Sequence, residues 1–197
     1  MTAIILTGLP CSGKSTVSNI LMTSLGLPHR WSIVSPDIVM ESFLTMVSSS
    51  YSFTTKESYN NLYDTGWYQI AEDIAWSKHL SYVLSRGCSI ILDDVNLSKK
   101  QRKDLKDKLK KLGEENVYNI FVDTSLETCK LRDKQRCETT SKCIPESEFE
   151  RLFNLLEAPS ESEGFVKTWT VKDYDVTHLS GTLQEIVNHF RGDLENA

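Results

Sequence analysis

Residues 3–16 decide the fold, and they read Ala-Ile-Ile-Leu-Thr-Gly-Leu-Pro-Cys-Ser-Gly-Lys-Ser-Thr. The first five are apolar or β-branched, which predicts a buried strand. Gly8 to Ser15 fits the spacing G-x-x-x-x-G-K-[ST] at every required position. The two glycines allow a tight loop whose backbone N–H groups point at phosphate oxygens, and the N-terminus of the next helix faces the same anion. The sequence therefore predicts a phosphate-binding loop between the first strand and the first helix.

The predicted nucleotide-binding residues belong to this loop and to the start of its helix. They are Gly8, Pro10, Cys11, Ser12, Gly13, Lys14, Ser15 and Thr16. A lysine in this position reaches the β- and γ-phosphates, and the following hydroxyl can ligate Mg²⁺. We therefore predict that Lys14 is catalytic and that Ser15 is a metal ligand.

Composition places the chain among ordinary globular proteins. It has 197 residues, of which 40% are hydrophobic and 25% charged, so we expect a single domain over 1–192 and a frayed tail at 193–197. No apolar run approaches the roughly 20 residues of a membrane span, and the N-terminal residues lack the basic start of a signal peptide. We expect a cytoplasmic protein without a membrane partner.

The five cysteines are an odd number, and their spacings match no zinc pattern. Cys137 and Cys143 could pair, but the expected cytosolic setting favours reduced thiols.

Apolar runs alternate with longer amphipathic stretches along the chain. Strands are predicted over 3–7, 31–34, 89–93, 117–122 and 166–171. Helices are predicted over 14–25, 38–47, 65–86, 98–112, 126–136, 146–156 and 182–191, and a mobile loop over 48–61. This alternation predicts an α/β fold with a parallel five-stranded sheet and helices on both faces.

Polar residues follow the second and third strands, at the edge where ligands bind in parallel sheets. Asp37 is a candidate general base, although a helix-capping role after Pro36 would favour aspartate equally. Asp94, or its neighbour Asp93, is a candidate Mg²⁺ ligand, and we favour Asp94. Only one of two adjacent side chains can face the site, so the choice between them stays open at this stage. Asn96 could simply begin the next helix.

Two basic stretches stand out from an overall net charge of −5. Residues 99–111 carry a local net charge of +6, which usually marks a solvated helix face. Arg132 and Arg136 are four residues apart and share a helix face, where they could stabilise charge on a transferring phosphoryl group. The alternative is surface charge paired with Asp133 or Glu127.

Taken together, these motifs resemble the P-loop kinase domain of polynucleotide 5′-hydroxyl kinases and their relatives. The matching pieces are 4–16, Ser35-Pro36-Asp37, 90–97, 126–132 with Arg136, Ile144-Pro145, and 153–165 with Glu157-Ala158-Pro159 and Glu163-Gly164-Phe165. The resemblance implies a P-loop kinase-like three-layer fold with a helical lid at about 130–148. It also implies ATP and Mg²⁺ as cofactors, Asp37 as general base, Arg132 and Arg136 as lid arginines, and Asp94 as the acid after the third strand.

The function that this resemblance implies is transfer of the γ-phosphate of ATP to a hydroxyl, with the 5′-OH of DNA or RNA as the favoured acceptor. Another hydroxyl is the alternative: a hydroxymethylated base in phage DNA, an aminoacyl-tRNA, a nucleoside or another small molecule. A non-catalytic ATP-binding regulatory module is a further alternative. Some family members carry an arginine three residues after the catalytic aspartate, where this chain has Met40, and 41–64 matches no family motif. The acidic pI of about 5.4 favours a small or single-stranded acceptor over a long duplex.

Overall fold

A computed structural model describes residues 1–25, 31–50, 62–139, 142–172 and 181–195. Its five strands lie close to the predicted positions. They are β1 (Ala3–Thr7), β2 (Trp31–Val34), β3 (Ser89–Leu92), β4 (Val117–Asp123) and β5 (Thr168–Lys172). All pair in parallel, in the order β2-β3-β1-β4-β5. β1 is central, and all five of its residues are buried.

Helices cover both faces of this sheet. They are α1 (Lys14–Ser24), α2 (Pro36–Ser50), α3 (Trp67–Asp73), α4 (Leu80–Ser85), α5 (Lys99–Lys111), α6 (Leu126–Thr139), α7 (Glu146–Leu155) and α8 (Gly181–Glu195). A π-helical turn (Ile74–His79) joins α3 to α4, and a short 3₁₀ turn covers Glu161–Glu163. No helix among the described residues is both long enough and apolar enough to cross a bilayer.

Alternate residues of β1 pack into two separate hydrophobic clusters, one on each face of the sheet. Ile4 and Leu6 face α1 and α8, in a cluster that includes Leu21 and Phe190. Ala3 and Ile5 face the other side, in a cluster with residues of α4 and α5 such as Leu80 and Leu109. Successive strand residues point to opposite faces, so a strand with helices on both sides must be apolar throughout. The predicted three-layer α/β fold is confirmed.

Several predicted boundaries differ from those observed. α2 continues to Ser50, so the predicted loop is wrong at 48–50, and its remainder falls mostly on 51–61, outside the described residues. The single helix predicted over 65–86 is interrupted by the π-helical turn. α6 continues to Thr139, and α8 continues to Glu195, into the segment predicted to fray. These are differences at element ends, where packing outweighs local sequence preference.

Candidate functional site

The phosphate loop has the backbone geometry that its sequence predicts. A Cβ on Gly8 would lie 2.7 Å from the carbonyl oxygen of Val122 and 2.8 Å from Ser12 Oγ, so only glycine fits there. Gly13 caps α1 with a φ of 105°, in the left-handed region that glycine adopts without strain. The Gly8 N–H donates to the carbonyl of Val95 at 3.0 Å, which fixes the loop to the chain that follows β3.

Two features of the loop suit an anion. Ser12 Oγ is buried and has no hydrogen-bond partner among the described residues, which is costly unless a ligand supplies one. The first turn of α1 carries no acidic residue, so its N-terminal N–H groups are available to negative charge. The predicted residues from Gly8 to Thr16 are therefore brought together as a phosphate cradle.

Lys14 is folded into this cradle. Its side chain is buried, and Nζ donates to the carbonyl oxygens of Gly8 at 2.9 Å and Leu9 at 2.6 Å. Burial lowers the pKa of Lys14, and the carboxylates of Asp93 and Asp94 oppose that shift. The ammonium is thus held at the mouth of the loop, where phosphate oxygens would be bound.

The structure distinguishes the two acids that follow β3. Burial raises the pKa of Asp93, and the nearby Lys14 ammonium and the Ser15 and Ser18 hydroxyls oppose that increase. Asp94 instead accepts from the backbone N–H of Val95 at 2.7 Å and lines an adjacent cleft. Burial raises the pKa of Asp94 to about 6. Of the two candidates, Asp93 is the one beside the predicted metal ligand Ser15, which does not favour the choice of Asp94 made from the sequence.

The Ser15 hydroxyl and the Asp93 carboxylate are hard oxygen donors, so this pair fits Mg²⁺. They would hold the ion together with phosphate oxygens and water, as is usual for Mg²⁺ at nucleotide sites. No group of three or more His, Cys, Asp or Glu side chains in the described part of the chain is arranged to hold a metal.

Asp37 lies at the start of α2. Pro36 is the first helical residue, so Asp37 lies in the first turn of α2, where its negative charge also suits the N-terminus of the helix. The Asp37 side chain is 48% exposed, and Oδ2 lies 3.2 Å from Lys142 Nζ. Its charge contributes to raising the pKa values of Asp93 and Asp94. Asp37 therefore shares the edge of the sheet that carries these acids.

The two lid arginines, both on α6, have different partners. Arg132 Nη1 donates to the carbonyl oxygens of Ser12 at 3.2 Å and Cys11 at 3.5 Å, so its guanidinium lies on the phosphate loop. Arg136 donates to Asp133 Oδ1 at 2.5 Å, which is one of the pairings that the surface-charge interpretation allowed.

Asp133, which the sequence offered only as a surface partner for the arginines, has several further contacts. Its buried carboxylate also accepts hydrogen bonds from the backbone N–H of Ile144 at 3.1 Å and from the Cys11 thiol at 3.6 Å. Cys137 Sγ lies 3.8 Å from the same carboxylate. It therefore ties α6 to the phosphate loop and to the segment that follows the helix. Burial raises the pKa of Cys11 to about 11, so this thiol is protonated at neutral pH.

We call residues 142–144 the lid strap. The sulfur atoms of Cys137 and Cys143 form a disulfide that joins the end of α6 to this strap. The expectation of reduced thiols is wrong for this pair, while Cys11, Cys88 and Cys129 remain thiols. The strap also carries Lys142, whose Nζ contacts Glu41 Oε1 at 3.0 Å in addition to Asp37.

The basic helix α5 begins with the predicted capping box between Ser98 and Gln101, which is confirmed. Arg102, however, is not a surface cation. It is fully buried, pairs in bidentate fashion with Glu163 at 2.7 and 2.9 Å, and donates to the carbonyl oxygens of Asn96 and Leu97. Lys106 is also engaged, because its ammonium lies on the carbonyl oxygens of Glu163 and Gly164. The positive face of this helix is therefore smaller than its sequence suggests.

These contacts explain the Glu-Ala-Pro and Glu-Gly-Phe segments physically. The Glu157 carboxylate accepts the N–H of Lys99 at 2.8 Å, and its own N–H donates to Leu97. Glu163 neutralises Arg102. Both glutamates thus hold the segment between β3 and α5, and this segment carries Asp94 and Asn96.

A cleft of about 280 Å³ opens beside Asp94, between the π-helical turn and α5. Its lining includes three carboxylates, one aromatic ring and one cation: Glu72, Asp94, Asp104, Trp76 and Lys108. Burial raises the pKa of Glu72 as well as that of Asp94. The cleft is thus predominantly acidic.

The fold and the loop define a P-loop domain of kinase-like architecture, a class that binds nucleotides. A family model described as an AAA domain matches residues 4–159, and the chain belongs to this family.

Two solved structures share this fold over nearly their whole length. One is an unconfirmed kinase from Chloroflexus aurantiacus, with a TM-score of 0.67 and 19% identity over 99% of this chain and 96% of that one. The other is Chaetomium thermophilum Kti12 in complex with ADP-AlF3, with a TM-score of 0.65 and 18% identity over 99% of this chain and 98% of that one. At this level of identity the likeness concerns the fold.

Proposed function

We propose that the chain is an ATP-dependent kinase that transfers the γ-phosphoryl group to an acceptor hydroxyl. The observation that carries the proposal is the placement of Asp37 at the same edge of the sheet as the phosphate loop, half-exposed and in the first turn of α2. A domain that only bound a nucleotide would need the loop but not a second carboxylate at that edge.

Each residue then has a distinct part in the transfer. The loop N–H groups and Ser12 Oγ bind the phosphates, while Lys14 and Arg132 supply positive charge beside them. Asp37 accepts the proton of the acceptor hydroxyl as its oxygen attacks the γ-phosphorus. The bond to the bridging oxygen breaks, and ADP leaves with the electron pair. Mg²⁺, held by Ser15 and Asp93, would neutralise charge on the phosphates.

The acceptor proposed from the sequence resemblance is the 5′-hydroxyl of DNA or RNA. Its phosphates would require cations, and the exposed lysines at the start of α5 are the candidates. A specific observation favours a second candidate, a small neutral or cationic hydroxyl compound. The cleft beside Asp94 carries three carboxylates, and Lys142 is already neutralised by Asp37 and Glu41.

Replacement of the base tests the kinase proposal. Asp37→Asn should lower turnover by at least about 10²-fold while ATP binding survives, because general-base loss affects proton transfer rather than nucleotide contacts. Asp73→Asn, which removes an exposed carboxylate from α3, is the matched control. Turnover and ATP affinity are measured with labelled ATP. Unchanged turnover in Asp37→Asn would reject Asp37 as the base.

The acceptor is identified by a panel assay followed by a salt titration. The panel contains 5′-OH oligonucleotides of DNA and RNA, hydroxymethyl-base DNA, tRNA, nucleosides and small polyols and amino alcohols. For a single-stranded acceptor, log affinity should fall with log salt by about 0.7 per phosphate contact, and the slope should flatten when Lys99, Lys100 and Lys103 are changed to Gln. A flat profile with the best acceptor would favour the small compound. Arg102 is excluded from the substitution because its replacement would disturb the fold.

A further inference from the structure

We propose that Lys142 is a positioning residue for the transfer reaction, because its ion pair with Asp37 holds that carboxylate in place. This inference rests on the proposed function, in which Asp37 is the base. Its physical basis is an ion pair between the lid strap and α2, which the sequence motifs do not include.

The geometry of this ion pair is specific. Lys142 Nζ lies 3.2 Å from Asp37 Oδ2 and 3.0 Å from Glu41 Oε1. Asp37 and Glu41 are four residues apart and so lie on one face of α2. The Lys142 side chain is only 16% exposed, whereas the two carboxylates are 48% and 61% exposed. The cation is therefore the buried member, and its position is set by the strap rather than by solvent.

The strap is fixed at several points. The N–H of Ile144 donates to the buried Asp133, and the Ile144 side chain packs against a cluster that includes Leu9 and Phe149. The disulfide between Cys137 and Cys143 joins the strap to the end of α6. An ion pair usually costs the entropy of ordering two long side chains. Here much of that ordering is already provided on the lysine side.

The other charges that face Asp37 are unfavourable to its ionised form. They are Glu41 on α2, and Asp93 and Asp94 at the end of β3, whose pKa values the charge of Asp37 helps to raise. Burial raises the pKa of Tyr63, and the charge of Asp37 adds to that increase, so Tyr63 is a further titratable neighbour. Lys142 is a cation that opposes this group of carboxylates at Asp37.

The consequence concerns the proton. A carboxylate accepts the proton of a hydroxyl only in its ionised form. An opposite charge within hydrogen-bonding distance lowers the pKa of a carboxyl group, and a like charge raises it. In this proposal Lys142 exchanges no proton with the substrate. Its effect is to extend the active range of the base to lower pH and to fix the direction from which Asp37 faces the acceptor.

The experiment compares four variants of the full chain: Lys142→Met, Lys142→Arg, Glu41→Gln and Lys134→Met. Lys134→Met is the matched control, because Lys134 is an exposed lysine of α6 with no ion pair in the described part of the chain. Two quantities are measured: the titration of the Asp37 carboxyl carbon by ¹³C NMR, assigned with Asp37→Asn, and the pH profile of kcat/KM with the best acceptor. Asp93 and Asp94 are present throughout, so differences between profiles report Lys142 and Glu41.

The expected shifts have opposite signs. Lys142→Met should raise the Asp37 pKa and move the acid limb of kcat/KM upward by about half to one pH unit, since partial exposure screens the pair. Glu41→Gln should move both downward, because a like charge is removed. Lys142→Arg should restore the wild-type profile, and Lys134→Met should leave it unchanged. A disturbed fold would not produce shifts of opposite sign.

Two results would overturn the proposal in distinguishable ways. If the Asp37 carboxyl titrates identically in wild type and Lys142→Met, the ion pair does not act on Asp37, whatever the enzyme's activity. If the titration shifts but Asp37→Asn keeps full transfer activity, the ion pair exists and the role of Asp37 as base fails, and the role of Lys142 fails with it.

Discussion

The proposed site has a donor side, which would bind the nucleotide, and an acceptor side, which would bind the hydroxyl compound. The two sides differ in the interactions that hold their residues. The donor side, Gly8–Thr16 with Asp93 and Arg132, is held by backbone hydrogen bonds and buried side chains, and Lys14 is only 7% exposed. The proposed acceptor side combines the ion pairs of Lys142 with Asp37 and Glu41 with two further carboxylates, Glu72 and Asp94, which line the adjacent cleft. A site of this kind can keep its donor fixed while its acceptor specificity changes by single substitutions.

The largest effect is expected at the centre of the donor side. Lys14→Ala should lower turnover by about 10³-fold or more, because the ammonium stabilises charge on the transferring phosphoryl group. ATP affinity should fall as well, unlike in Asp37→Asn. Turnover and nucleotide affinity are measured beside circular dichroism, which should show an intact fold. Wild-type turnover in a folded Lys14→Ala protein would show that transfer does not depend on the Lys14 ammonium.

The next effect concerns the buried ion pair between Arg102 and Glu163, which holds the segment between β3 and α5. Arg102→Ala should destabilise the protein by about 3–5 kcal/mol, since it leaves Glu163 without its buried partner. Lys103→Ala removes an exposed pair with Asp107 on the same helix and should cost far less, because solvent screens that pair. Urea unfolding measures both. Equal costs for the two variants would show that the buried pair is not structurally important.

A smaller effect is expected where the lid meets the donor side. Arg132→Ala should lower kcat by about 10²-fold and weaken ATP binding less, because its charge is needed mainly in the transition state. Arg136→Ala should act in the same direction, less strongly, since Asp133 already holds that guanidinium. Lys130→Ala, which breaks surface pairs on the same helix, is the control. An unchanged kcat in both arginine variants would show that Arg132 and Arg136 are surface charges with no part in the transfer.

The smallest effect tests the burial of the acceptor-side acid. The pKa of Asp94 is raised to about 6, so the folded state binds its proton more tightly than the unfolded state. Stability from this group is therefore present at low pH and is lost as pH rises from about 4 to about 6. Asp94→Asn should remove that slope and stabilise the nucleotide-free protein at pH 8 by about 1–3 kcal/mol. Urea unfolding at pH 5 and pH 8 measures it; an equal change at both values would contradict the assignment.

The features predicted correctly from the sequence depend on neighbouring residues. The phosphate loop, the buried strand before it and the capping box at Ser98 are all encoded within a few positions, and each is observed. Element ends were predicted less well because tertiary packing sets them. The placement of Gly8–Thr16 in one loop could also be predicted, because these residues are contiguous in the sequence.

The features that the sequence missed depend on distant partners. Arg102 resembled a surface cation because Glu163 is 61 residues away. The contact of Lys142 with Glu41 spans 101 residues. Asp93 and Asp94 are adjacent, and which of them faces Ser15 is decided by how β3 pairs with its neighbours. The advance signals for the strap were the spacing of Cys137 and Cys143 and the Ile144-Pro145 pair, and neither indicated its contact with α2.

The central position of β1 has a consequence for how the chain comes together during synthesis. Residues 3–7 pair with Ile90–Leu92 on one side and with Val117–Phe121 on the other. At typical translation rates, roughly 6–20 seconds separate the synthesis of this strand from that of its second neighbour. Until then β1 lacks at least one of its two sheet partners, and transiently exposed apolar surface of this kind is what chaperones bind on nascent chains. The phosphate loop contacts Val95 and Val122, so this motif is synthesised well before the residues that complete its surroundings.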